Sequence, residues 1–162
     1  MKPKVYFTRD ITPENVVRLY HLLGVELPGK VAVKVHSGEQ GNQNYLTPEF
    51  WKPMVDEVGG TIVECNTAYG DASGGVRDHT ETHWELMEEH GWTTYFNVNI
   101  MDAEGPDVVW PVRGSKQLAE NHLGKHIEDY DSMLVLARVR ARGVLAGAHC
   151  TGACAALPPR PR

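Results

Sequence analysis

From Ala137 to its last residue this chain has no Asp, Glu, Lys, Asn, Gln, Ser or aromatic side chain. The stretch "ARVRARGVLAGAHCTGACAALPPRPR" carries five Arg and no acid, a net charge of +5, whereas residues 1–136 carry eleven basic and 21 acidic residues, a net of −10. An acidic body without clustered Lys and Arg excludes nucleic acid as the main partner, because phosphate contacts need such clusters. Five arginines without aromatic platforms do not reverse that reading. Cysteine is scarce: Cys65, Cys150 and Cys154 are the only three. An odd count in a chain with no sign of export argues against a disulfide framework. No apolar run approaches the roughly 20 residues of a membrane span. The opening "MKPKVYFTRD" lacks the apolar core of a secretory leader. These absences lead to the expectation of a cytoplasmic protein with no membrane and no nucleic-acid partner.

What is present is alternation. "KVYFTR" (Lys4–Arg9) reads as a first strand. "TPENVVRLYHLLGVE" reads as a helix with Thr12 as N-cap, Pro13 at the first position, Val16, Leu19, Leu22 and Leu23 on one face, and Gly24 as its stop. "KVAVKVH" (Lys30–His36) is a second strand, followed by the polar loop "SGEQGNQNYL" and a helix from Thr47 in which Pro53 is expected to kink or shorten the pattern. "TIVECN" is a third strand and "TAYGDASGGVR" a long loop. "HTETHWELMEEHGW" is a helix opened by Asp78 or Thr80 and ended at Gly91. "TYFNVNIMD", "DVVWPV" and "YDSMLVLA" read as further strands, and "GSKQLAENHLGKHIED" stays open between loop and short helix. Strands alternating with helices predict an α/β fold in three layers, a mostly parallel sheet covered by helices. Ligands in such sheets bind at the carboxyl ends of the strands, so the loops after the second and third strands are where chemistry is expected.

Four clusters carry candidate chemistry. In "KVHSGEQGNQN", His36, Glu39, Gly41 and Asn42 bring an imidazole, a carboxylate and bare backbone amides to one strand end, suited to a metal or an anion or simply to a solvated loop. It is not a P-loop, since the Gly-Lys-[Ser/Thr] ending is missing. In "ECNTAYG", alternation sends Glu64 and Asn66 to one face and Cys65 to the other, and a carboxylate ending an apolar strand needs a partner or exposure. Cys65 reads as a small core thiol rather than a reactive one. In "DHTETHWELMEEHG", His79 and His83 are four residues apart and can share a metal or lie on a polar helix face. The zincin placement of Glu is absent, and His90 suits a helix C-terminus. The tail's His149, Cys150 and Cys154 are a poor zinc or cluster signature. Asp102 and Glu104 in "IMDAEG" add carboxylates that belong either to a turn or to the crevice.

Taken in order, "KVYFTRDITPENVVRLYHLLGVELPGKVAVKVHSGEQGN", "TIVECNTAYG", "HTETHWELMEEHG", "IMDAEG" and "LGKHIEDYDSMLVL" resemble the DUF362 family (domain of unknown function 362) over about residues 2–136. Proteins of that family are often described as iron–sulfur centre proteins, with a following ferredoxin-like segment whose cysteine runs hold [4Fe–4S] clusters. The resemblance implies a redox-linked role with electron transfer and a redox partner protein. It covers His36, Gly38, Glu39, Gly41, Asn42, Glu64, Cys65, Asn66, Tyr69, Gly70, His83, His90, Gly91 and Asp102. It assigns no catalytic residue, because the family's reaction is not established. Cofactor contacts are expected at Gly38, Gly41, Asn42, Asn66, Tyr69 and Gly70, and a metal ion at His36, Glu39, Glu64 and His83. Beyond the "YDSMLVL" strand, the family's His/Lys/Gly-rich stretch is replaced by the arginine-rich tail, and no ferredoxin-like cysteine pattern appears. The residue types of that tail have G- and C-rich codons, which favours a truncated or frame-shifted ending after Leu136. A genuine disordered arm is the alternative for 137–162. The cluster ligands are thus absent from this chain. Three expectations follow: a redox-linked fragment of the family, a cluster-free α/β module that binds a metal or small anionic ligand, or an inactive fragment. In the last, the sheet edge beside "DSMLVL" is uncovered and promotes association between copies.

Overall fold

The structure is a computed structural model that describes residues 4–67, 75–114 and 116–137, together with the backbone of 154–156. Tyr69, Gly70 and most of the 137–162 tail lie outside the described residues. Helix α1 (Pro13–Leu23) starts where Thr12 Oγ1 accepts the Asn15 amide and Pro13 supplies a pre-set φ. It ends where Gly24, at φ 61°, takes the left-handed conformation that the chain reversal requires. Strand β1 (Val31–Lys34) leads to α2 (Pro48–Val58), β2 (Thr61–Glu64), α3 (Thr80–Glu89) and the single turn α4 (Trp92–Tyr95). Then come β3 (Val98–Ile100), β4 (Val108–Pro111), β5 (Glu120–Leu123), a 3₁₀ helix over Lys125–Asp129, β6 (Ser132–Val135) and β7 (Cys154–Ala156).

The main sheet has the order β3-β2-β1-β6-β7. Its first four strands are parallel, with Val33 opposite Ile62 on one side and Leu134 on the other, and β7 runs antiparallel to β6. The α/β reading therefore holds. β1 is central and buried on both faces, which is why "VAV" is an unbroken apolar run. Val31, Val33 and Val35 face a helical layer built from Val16, Val17 and Tyr20 of α1, Trp51, Met54 and Val55 of α2, Met87 of α3 and Trp92 of α4. Ala32 and Val63 face the other way, against Met101, Tyr130 and Ile127. That second layer lies close because Gly124 has no side chain: a Cβ there would stand 2.1 Å from the Met101 carbonyl oxygen. Strands β4 and β5 form a separate antiparallel ribbon. Among the described residues, no helix is long and apolar enough to cross a membrane.

Several expectations change: His79, rather than Asp78 or Thr80, stands at the cap of α3, and the stretch left open between loop and short helix supplies β5 and the 3₁₀ helix. Lys4–Arg9 forms no strand, and Val5 and Phe7 are 88% and 82% exposed, because β-propensity becomes a strand only where a neighbouring edge offers hydrogen bonds. Leu22 and Leu23 of α1 are exposed; the helix packs through Val16, Val17 and Tyr20 instead. Pro53 lies on the exposed side of α2 without ending it, and Glu49, whose carbonyl loses that hydrogen-bond partner, is exposed too. The stretch "TYFNVNIMD" yields only a three-residue strand, because Gly91 at φ 79° restarts the helix and buries Trp92. Finally, β6 is not the uncovered edge that was expected, since β7 pairs along it.

Candidate functional site

The polar residues gather where the fold argument places them, at the carboxyl ends of β1 and β2. β1 ends at Lys34, Val35 and His36 continue the chain, and Ser37 then turns it inward. Every polar group of Ser37 is engaged. Its amide and Oγ donate to Glu64 Oε1 at 2.8 and 3.0 Å, and its carbonyl accepts from His90 Nδ1 at 2.8 Å and Trp92 Nε1 at 3.2 Å. Gly38 follows at φ 93°, packed so that a Cβ would meet the Tyr45 ring at 2.7 Å. Tyr45 in turn stacks on His90 with centroids 4.5 Å apart. A side chain at position 38 would push that stack away, so Gly38 serves packing and backbone geometry.

Glu64 is the hub. Its buried carboxylate accepts from Lys34 Nζ at 2.7 Å, from the Ser37 amide and hydroxyl, from the Cys65 amide at 3.2 Å and from Arg77 NH1 at 3.3 Å. Burial acts to raise its pKa, but the Lys34 charge and hydrogen bond, the Ser37 amide and Arg77 outweigh it and hold Glu64 below the usual carboxylate range. It is an anion at neutral pH, not a proton donor. Arg77 arrives from the loop after β2, whose ends are tied by the Thr67 amide donating to the Arg77 carbonyl at 2.8 Å. Its Nε and NH2 both reach Oε1 of Glu39, the Nε at 2.9 Å.

His83, fully buried on α3, closes the network. The proton order can be followed outward: Thr80 Oγ1 donates to the Ala103 carbonyl, and Asn66 Nδ2 donates to Thr80 Oγ1. Asn66 Oδ1 is thus left to accept from His83 Nδ1–H at 3.1 Å. His83 Nε2 then faces Ser37 Oγ at 3.4 Å with its lone pair. Burial, opposed by Glu64 and helped by Arg77, lowers the His83 pKa and keeps the ring neutral. Serine, histidine and asparagine in this order resemble an activated nucleophile. Here, however, Ser37 is fully buried and its proton already goes to Glu64, so the arrangement positions the loop and does not attack a substrate.

The expected residues are divided by this geometry. Glu64, Asn66 and His83 come together, and Glu39 joins them through Arg77. His36 reaches solvent at the margin of the network, its Nδ1 accepting the Gly38 amide at 2.9 Å; desolvation of the covered part of its ring, and then the nearby Arg77 charge, lower its pKa. Asn42 spends its side chain on the Asn44 amide, and Gly41, at φ 70°, is exposed. Tyr69 and Gly70 lie outside the described residues. The four-residue metal centre is not assembled: among the described residues no three His, Cys, Asp or Glu side chains converge to hold a metal. Lys34 and Arg77 neutralise the carboxylates instead. His79 is exposed and paired with Asp78, not with His83. Cys65 turns to the opposite face from Glu64, as alternation requires, and packs with Ala32, Val63 and Met101. Burial and then the Asp102 charge push its thiol up to about 11, so it is no reactive thiolate.

Sequence reasoning missed Lys34, Ser37, Arg77 and Trp92. Lys34 had a signal, since a lysine inside "VAVKVH" needs a carboxylate partner on the adjoining strand. Arg77 had none, because only the loop's closure brings it back to the strand ends.

No curated protein and no solved structure matches the chain. One family model does, over residues 31–154, so it begins with β1 and extends past Leu136 to the start of β7, whereas the resemblance in the sequence runs over about 2–136. With most of its length matched, the chain belongs to the family described as Domain of unknown function (DUF362).

Proposed function

We propose that this chain is a cluster-free α/β module that binds a small anionic ligand at the carboxyl ends of β1 and β2, anchored by Arg77. The observation that carries the reading is the setting of that guanidinium. Its side chain is 8% exposed, yet its Nε/NH2 edge turns outward to Glu39, whose side chain is 41% exposed. A buried cation met on that edge by a half-exposed carboxylate, at the strand ends of a parallel sheet, is placed to take an anion. An iron–sulfur, electron-transfer role finds less support in these residues. A cluster needs several thiolates, and the one cysteine whose side chain is described, Cys65, is packed among apolar residues with a raised pKa. A bound metal ion meets the same difficulty, because Glu39 and Glu64 already have cationic partners.

Thermal melts test the proposal. Acetate, succinate and inorganic phosphate are each compared with sodium chloride at equal ionic strength. A ligand of the folded state raises the melting temperature with concentration, following RT ln(1 + [L]/Kd). The expected result is stabilisation of the native protein by at least one of these anions and its loss in Arg77→Gln. If none stabilises beyond the chloride control, the proposal is wrong.

A further inference from the structure

Arg77 holds two carboxylates in unlike ways. Glu64 is fastened by donors from Lys34, Ser37, Cys65 and Arg77, with 2% of its side chain exposed. Glu39 touches Arg77 through a single oxygen, Oε1, which receives both Nε and NH2. That edge of a guanidinium is a fork suited to two oxygens of one planar acid, so Glu39 fills it incompletely. The main chain of Glu39 is held by its own turn, with the Asn42 amide donating to its carbonyl at 2.9 Å. Glycines at positive φ flank it, Gly38 at 93° and Gly41 at 70°. The backbone can therefore stay while the side chain leaves, and the departing carboxylate is already partly in water.

We propose that Glu39 is an internal stand-in for the ligand: a small carboxylate-bearing molecule displaces its side chain and takes the Nε/NH2 edge of Arg77 through both carboxylate oxygens. This rests on the anion-binding reading above and names its ligand class. Charge supports a carboxylate over a phosphate. Lys34 and Arg77 balance Glu39 and Glu64, and exchanging one carboxylate for another keeps that balance, so no buried charge is left unpaired. A phosphate dianion would add excess negative charge beside Glu64.

The test is calorimetric titration of acetate, succinate and inorganic phosphate into the native protein and into Glu39→Gln, which keeps the shape of the side chain but removes the competing charge. Glu39→Gln should bind the carboxylates about tenfold tighter or better, the scale of losing one charge-assisted competitor. In Glu39→Ala, acetate should also restore the melting temperature that the deletion lowers, a rescue that sodium chloride does not reproduce. Equal carboxylate affinity in the native protein and Glu39→Gln would overturn the stand-in while leaving the anion site. Tightening for phosphate alone would overturn the carboxylate class. Failure of both proteins to bind any of the three at millimolar concentration would overturn the anion site as well.

Discussion

The strand-end network and the N-terminal segment are the two extremes of this molecule. Around Glu64, every described polar group finds a partner within a few ångströms, and no buried side-chain nitrogen or oxygen is left unbonded among the described residues. Along Lys4–Ile11 the balance is reversed: large apolar side chains face solvent, and the hydrogen bonds are short-range ones between Thr8 and Asp10 and from Thr12 and Asn15 to the Asp10 carbonyl. The first region is costly to disturb because its groups are desolvated, while the second still has its water. The widest gap should appear on replacing Glu64 by Ala, which takes the carboxylate partner from Lys34, one of two from Arg77, and the acceptor of both donors of Ser37. Breaking a buried pair in this way costs about 3–5 kcal/mol. Urea unfolding should show that loss as a lower midpoint. A loss below about 1 kcal/mol would mean that water already reaches the network.

The second way to sharpen the contrast is pH. His83 has its pKa lowered from 6.5 by burial, so the fold prefers the neutral ring and the unfolded chain binds more protons. That contribution is fully present above pH 6.5 and is lost as the pH falls through the folded-state value. His36 adds to it in the same direction. Glu64, whose pKa is lowered from 4.5, contributes stability above that value and loses it in stronger acid. Melting temperature should therefore fall from pH 7 to 5.5 through the histidines, and fall again below 4.5 through Glu64. Replacing His83 by Gln should shrink the first step to the part that His36 contributes and leave the second, and an unchanged first step would assign it elsewhere.

How far the site was legible follows from what each residue needs. β1 was readable because a central parallel strand is apolar on both faces, and Val31, Ala32 and Val33 leave no other interpretation. Glu64 stood out because a carboxylate at the end of such a strand requires partners. His83 was singled out as a metal ligand or as part of a polar helix face; its partners, Asn66 and Ser37, come from two other stretches of the chain. Arg77 was invisible because its role depends on loop closure between residues remote from any periodic pattern. The failure at Lys4–Arg9 has the opposite origin. Its composition is that of a strand, but propensity states what a residue tolerates, and pairing needs an edge at the right distance.

The smallest effect belongs to that segment. Val5 and Phe7 alternate with the more covered Tyr6, so on a sheet they would share one face, and both are almost wholly exposed. Replacing the pair by Ser removes apolar surface that the fold never took out of water. Substitutions away from packed features change stability by no more than about 0.5 kcal/mol. The double variant should thus match the native urea midpoint. A loss of about 1.5 kcal/mol or more is the scale of burying a single valine or phenylalanine side chain. It would show that the segment packs as a strand in solution, and the contrast between the two regions would disappear.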